Sequence, residues 1–191
     1  MARPVDPELK AALLAKIVTY IWEHGIADFS LRPLAVAIGS SPRNIAYHFG
    51  SREDLLCVIF NTIRERMYED FRGIQQDAAS VEDALRKLWA WTSAQENRKL
   101  LKLLYEIFGT SVNHPDRFDG YARWVATERL KFIGIILARF GIVDNEEQEL
   151  ATLIMIIFHG ATLDLTATDD VARIERVILR CIESVKSFRT I

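Results

Sequence analysis

Residues 29–52 read FSLRPLAVAIGSSPRNIAYHFGSR and contain neither Asp nor Glu. Their spacing predicts two short helices around a glycine turn. Ser30 is placed to cap a helix beginning at Leu31, and Pro33 falls in its first turn, where a missing N–H costs nothing. Leu34, Ala35 and Ile38 form one apolar face, and Gly39 follows at the position of a left-handed C′ residue. Ser41 and Pro42 repeat the start signal, a side-chain cap followed by proline at the first helical position, so a second helix is predicted over 42–49. A turn of about three residues between two such helices is the length of a helix-turn-helix. Small Ala35 lets the second helix cross closely, while Ile45 and Phe49, one turn apart, anchor it to a core.

The opposite face of that second helix is predicted to be free and to carry Arg43, Asn44, Tyr47 and His48, with 43 over 47 and 44 over 48 by the i, i+4 rule. All four side chains donate hydrogen bonds. In a major groove Arg pairs bidentately with guanine and Asn with adenine, whereas Tyr and His more often touch phosphate or sugar. The same segment also reads as a short surface helix with solvated polar residues, an arrangement common in all-α proteins.

Leu34, Ala35, Gly39, Ser41, Ile45, His48, Phe49, Ser51, Arg52, Leu55 and Leu56 together resemble the N-terminal domain of the tetracycline-repressor (TetR) family of bacterial regulators. That family's motif runs I/L-A-x-x-x-G-V-S-x-x-x-L-Y-x-H/Y-F-x-S-K-x-x-L, and the match covers roughly residues 8–60. The resemblance implies that His48 and Arg52 contact the DNA backbone, Arg52 keeping the charge of the family's Lys. Two positions depart from the pattern. Ala46 stands at the family's usual Tyr, with Tyr47 one place later, and Ser40 replaces a Val that helps pack the turn. The expected DNA contacts are Ser41, Arg43, Asn44, Tyr47, His48 and Arg52.

The whole chain of 191 residues is half apolar, poor in Gly and Pro, and carries a formal net charge of −2. An all-α fold follows, with no basic footprint overall, so any nucleic-acid binding must be local. Residues 1–52 hold six basic side chains (Arg3, Lys10, Lys16, Arg32, Arg43, Arg52) against four acids, and the remainder holds 18 against 22. Because phosphate neutralisation supplies much of DNA affinity, this polarity points the N-terminal end at a duplex. Cys57 and Cys181 lie far apart in helical contexts and suggest small buried hydrophobes, not a disulfide or a metal site. No signal-peptide pattern opens the sequence, and the apolar run over 150–165 is shorter than the ~20 residues that span a bilayer. A cytoplasmic protein without a membrane partner is expected.

Upstream of the turn, residues 9–24 repeat apolar positions at Leu13, Ile17 and Ile21 and at Leu14, Val18 and Trp22, a stripe wide enough to cover the helix-turn-helix. Downstream, Ser51 caps a fourth helix with Asp54 as capping-box partner, continuing to about residue 72. The stretch 73–80, GIQQDAAS, marks the expected boundary between a DNA-binding domain over 1–72 and an effector-binding and dimerisation domain over 73–191. Helices are predicted in the latter over 81–92, 97–112, 116–140, 145–166 and 170–188, making about nine in all. The helix containing ATLIMIIFHGATLDL is apolar almost all round and the last has a face wider than one partner needs. Either that helix is central or a second subunit covers it, and the TetR resemblance implies a dimer of paired C-terminal helices. Ile157, Gly160, Ala161 and Ile178 are the expected interface, the two small residues permitting close approach.

Trp89, Trp91, Tyr105, Phe108, Phe118, Tyr121, Trp124, Phe132 and Phe140 crowd the middle helices. Singly they read as core; together they allow an apolar cavity with a few polar groups. The resemblance implies an effector site there for an unidentified apolar or amphipathic small molecule, with Tyr105 and Trp124 as walls and Thr127 and Glu128 as polar anchors. His24, His48, His114 and His159 are isolated, and no nucleophile elbow, phosphate loop or metal-ligand spacing is present. Neither an enzyme nor a bound cofactor or metal is expected. The predicted function is a ligand-responsive repressor that binds a palindromic double-stranded operator as a homodimer. The alternative is an all-α small-molecule carrier or sensor whose helix-turn-helix is only structural.

Overall fold

A computed structural model of the chain describes residues 6–26, 29–118 and 121–185. Among them are nine α-helices and no strand: α1 Pro7–His24, α2 Leu31–Ala37, α3 Pro42–Phe49, α4 Arg52–Asp77, α5 Val81–Ser93, α6 Gln95–Asn113, α7 Tyr121–Arg139, α8 Asp144–Thr168 and α9 Val171–Val185. A single 3-10 turn, Pro115–Arg117, precedes α7. The all-α expectation holds, and the local signals account for most helix ends. Asp6 accepts from the amides of Glu8 and Leu9 at the start of α1, Ser41 from Asn44 at α3, and Ser80 from Asp83 at α5. Ser51 and Asp54 close the expected capping box on α4. At α2 the expectation fails in part, since Ser30 has the extended cap backbone but its hydroxyl makes no capping bond.

The structure has two hydrophobic cores, and α4 belongs to both. In the head, Leu13, Ile17 and Ile21 of α1 meet Leu34 and Ala35 of α2, Ile45 and Phe49 of α3, and Leu55, Leu56 and Ile59 of α4. Each fully buried aliphatic side chain of this kind contributes about 1.5–3 kcal/mol. This core continues into Leu100, Leu103, Leu104 and Ile107 of α6, so the head is packed on the body. The Glu106 carboxylate of α6 accepts from the Ile26 amide at 3.1 Å, satisfying an otherwise orphaned donor just beyond α1. The second core joins α5, α7, α8 and α9 through Leu85, Leu137, Ile154, Ile178 and Ile182, and Phe71 and Ile74 of α4 pack against it.

Three expectations about the body need correction. Helix α4 does not end near residue 72 but continues through Gly73 to Asp77, because its apolar face is held by the second core at Phe71 and Ile74. Ile178 is fully buried inside the single subunit, between α9 and the rest of its core, so it is not on an open interface. The helix α8 has a stretch, Glu147–Thr168, long and apolar enough by length and composition to cross a membrane, which the shorter apolar run over 150–165 had argued against. In the fold it packs on α7 and α9. Cys57 and Cys181 are half-buried on separate helices. Phe188, expected at the end of the last helix, lies outside the described residues.

Gly50, between α3 and α4, has φ +80°, a region L side chains rarely adopt, and a Cβ there would stand 2.5 Å from Asp54 Oδ2. That carboxylate also accepts from the Ser51 amide at 2.8 Å to close the capping box. Gly50→Ala is therefore expected to combine backbone strain with loss of a cap, lowering stability by about 2–3 kcal/mol. Urea denaturation measures it; an unchanged midpoint would show that the turn tolerates a side chain.

Candidate DNA-reading surface and internal cavity

On α3, Ile45 and Phe49 face the core, which leaves Arg43, Ala46 and Tyr47 exposed, Tyr47 by 49%. Asn44 and His48 lie on one flank, about 100° and about 60° from Ile45 respectively. His48 is therefore not on the free face: it is buried, its Nδ1 has no hydrogen-bond partner, and its ring packs edge-on to Tyr47. Asn44 is half-buried and its Nδ2 donates to Ser40 Oγ at 3.1 Å. Ser40, which departs from the pattern of the family resembled, thus holds the side chain of Asn44, one of the expected DNA contacts. Ser41 spends its hydroxyl on the Asn44 amide at 3.1 Å.

Arg52 is also constrained. Its Nε donates to the Phe29 carbonyl at 2.9 Å and its guanidinium lies over the Phe29 ring, so it ties the segment before α2 to the start of α4. Glu53 lies 3.8 Å away on the same helix. Lys10 of α1 stands over the Phe49 ring at 5.6 Å. The surface around α2 and α3 therefore combines Arg32, Arg43, Tyr47 and Val36, the last 82% exposed, and among its described residues no acid interrupts it. Lys10 was missed in the sequence because only the fold brings α1 to the end of α3.

The second feature is a cavity of about 80 Å³ walled by α4, α6, α7 and α8. Its lining follows helical periodicity: Arg64, Met67, Tyr68 and Phe71 on α4; Leu104, Tyr105 and Phe108 on α6; Tyr121, Trp124, Val125, Glu128, Arg129 and Phe132 on α7; and His159 on α8. Of the four expected pocket residues, Tyr105, Trp124 and Glu128 line it. Thr127 does not: it sits about a third of a turn off the inward stripe of α7, is exposed, and returns its hydroxyl to the Arg123 carbonyl at 2.9 Å. A neighbouring cavity of about 60 Å³ shares Met67, Phe71, Arg129, Phe132 and His159 as a common wall. Trp89 and Phe118 are core, as single aromatics usually are.

The polar groups of the cavity are ordered. Tyr105 donates to the His159 carbonyl at 3.0 Å, and burial pushes its phenol pKa up. Tyr68 donates to Glu128 at 3.0 Å; burial and that carboxylate raise it to about 12. Glu128 also accepts from Lys131 at 2.7 Å, which, with the Tyr68 bond, holds its carboxyl below the ordinary range. Arg129 donates to His159 Nε2. Burial first, and the Arg129 charge second, bring the His159 pKa down to about 4, so the imidazole is neutral and accepts from the guanidinium. Sequence reasoning missed Arg64, Tyr68, Arg129 and His159. Arg64 and Tyr68 lie on a helix assigned to the head, and Arg129 follows Glu128 as an ordinary surface charge pair would.

A helix-turn-helix head runs through one long helix into a hollow helical body. The chain has the fold of TetR-family transcriptional regulators. Solved structures similar to it include a TetR transcription regulator from Haloarcula marismortui, 19% identical with TM-score 0.71 over 93% of this chain and 96% of that one. A TetR-family regulator from Agrobacterium tumefaciens is 20% identical with TM-score 0.74 over 94% and 98%. The multidrug binding protein EbrR, solved with imidazole, is 21% identical with TM-score 0.63 over 92% and 90%. Neither a family model nor a curated protein matches the chain.

The depressed His159 pKa makes a pH prediction. The unfolded chain binds a proton near pH 6.5 and the folded one only near 4, so this group's contribution is complete above about 6.5 and is lost as pH falls toward 4. Allowing for partial exposure, the loss is about 2 kcal/mol. Urea denaturation across that window should show the loss in the wild type and a shallower slope in His159→Gln; equal slopes would refute the assignment.

Proposed function

We propose that the protein is a ligand-responsive, DNA-binding transcriptional repressor that acts as a homodimer in the cytoplasm. The observation that carries the reading is the acid-free helix-turn-helix surface, on which Arg43 and Tyr47 project from a helix fixed at both ends by Ser41 and the Gly50 turn. Arg43 and the free part of the Asn44 amide read base edges in the major groove, with Tyr47, Ser41 and Arg52 near phosphates. His48, buried with its ring packed inward, is not among these contacts. Two such heads meet half-sites of a near-palindromic operator about one helical turn (~34 Å) apart.

The second subunit covers a stripe on α8. Leu153, Ile156 and Leu163 are 42%, 59% and 54% exposed at helical spacing, and Gly160 in their midst has nothing within 4 Å of where a Cβ would be. Ile157 and Ala161 flank the stripe and are half-buried, and Val177 of α9 is 55% exposed. An apolar or amphipathic effector enters the cavity and, by preferring one spacing of the heads, releases the operator. That the similar EbrR is a multidrug binding protein solved with imidazole supports a ligand in this body. The cavity by itself would equally suit a helical carrier that never touches DNA; only the head separates the two readings.

Selection of bound sites from random duplex DNA, followed by a salt series, tests the proposal. Arg43→Ala or Asn44→Ala should then cost about 1–3 kcal/mol at the selected site and flatten preference at one base position. Arg52→Ala should weaken every sequence alike and lower the salt slope by about one. No enrichment and no salt-dependent binding would leave the carrier reading.

Assembly is tested by sedimentation. Ile156→Glu with Leu163→Glu should give a folded monomer that fails to hold two half-sites, because both carboxylates can stay in water once the partner has gone. Ile178→Glu should instead unfold the subunit, an unpaired buried carboxylate costing several kcal/mol. A monomeric wild type at micromolar concentration would remove the dimer.

A further inference from the structure

The cavity holds more positive charge than its own residues neutralise. Arg129 is mostly buried, and its partners are the neutral imidazole of His159 and the Tyr105 phenol; no carboxylate among the described residues pairs with it. Glu128, the acid in the cavity wall, is engaged by Lys131 and Tyr68 and its charge also acts on Arg64, which leaves Arg129 as the cation without a carboxylate. Arg64 of α4 stacks over Trp124 at 4.8 Å, and its buried Nε has no hydrogen-bond partner. Both guanidiniums line the same cavity, and both act on the Tyr121 phenol, lowering a pKa that burial otherwise raises.

Guanidinium groups do not lose their proton in proteins, so this arrangement cannot relieve itself by titration. Burial makes an unopposed charge costly, and a ligand that supplies the opposite charge recovers that cost on binding. The remaining walls are apolar and aromatic: Met67, Phe71, Leu104, Phe108, Phe132 and the Trp124 ring. The geometry points to an organic carboxylate, with a single ring or a short acyl chain, as the ligand of this cavity, its carboxylate held by Arg129 and Arg64 and its body among the aromatic side chains. The size follows from a cavity of about 80 Å³, which has no room for a large drug without movement of its walls. This rests on the effector reading above and narrows it to one charge class. It also gives the ligand a place to act, because a carboxylate shared by Arg64 and Arg129 links α4, which leaves the recognition helix, to α7 in the body.

Calorimetry on the full-length protein with matched pairs tests it: benzoate against benzamide, phenylacetate against phenylacetamide, and hexanoate against hexanamide, with benzylamine as the cationic control. The acids should bind about ten- to hundredfold more tightly than their amides, the range for a charge-assisted hydrogen-bonded pair. Arg129→Gln should abolish that preference, and Arg64→Gln should reduce it. Should Arg129→Gln fail to fold by circular dichroism, Arg64→Gln and the wild-type acid-to-amide ratio carry the test. Amides or benzylamine binding as tightly as the acids would overturn the anion assignment and leave an effector cavity standing. Binding by none of the panel up to its solubility would overturn both. Acid binding with no DNA binding in the site selection would keep the anion site and remove the regulator.

Discussion

Helix α4 is shared between two hydrophobic cores, and that sharing constrains everything else in the subunit. Its first turns, with Leu55, Leu56 and Ile59, close the head beneath α1–α3; its last turns, with Phe71 and Ile74, pack on the body. In between, Arg64, Met67 and Tyr68 face the cavity. A helix of 26 residues extends about 39 Å, and well-packed side chains at both ends leave it little freedom to bend independently of either core. The same helix joins the cavity wall to the Gly50 turn and α3.

Helix α6 supplies a second link. Leu104 and Tyr105 line the cavity, while the neighbouring Leu103 and Ile107 enter the head core and Glu106 accepts from the Ile26 amide. Residues one position apart on this helix thus serve the cavity and the head. Coupling between the two sites then needs no long relay: it needs two packings of α4 and α6 that the ligand distinguishes. The buried charge of Arg129 and the unpartnered Nε of Arg64 are features by which a ligand could do so.

The head illustrates how local rules and tertiary packing divide the work. Caps, prolines and glycines act within a few residues, so α3 and the capping box of α4 were legible at their residues: Ser41, Pro42, Ser51 and Asp54 all take the predicted roles. Which face of α3 is free depends on the helices beneath it. The i, i+4 rule placed Asn44 and His48 together on the open face, but packing of Ile45 and Phe49 rolls that edge inward, burying His48 and drawing Asn44 onto Ser40. The same limit applies at the other end of the chain, where the wide apolar face of α9 faces its own subunit at Ile178 and the open apolar stripe is on α8.

The helices, the turn that sets α3 against α2, the charge polarity of the chain and the apolar excess of α8 could all be read from the residues in order, because each depends on side chains within a few turns of one another. Tyr105, Trp124 and Glu128 were also recognisable as pocket candidates from aromatic density and the family resemblance. Packing in three dimensions was needed to place Thr127 outside the cavity, to turn Arg64 and Tyr68 of α4 toward α7, and to bring Arg129 against a neutral His159 thirty residues away and, among the described residues, no acid. Burial and charge compensation are set by neighbours in space, which linear order does not contain. A lone Arg next to a Glu reads as a surface pair in one dimension, and only the packing of four helices shows that the Glu is engaged elsewhere while the guanidinium is left facing a cavity.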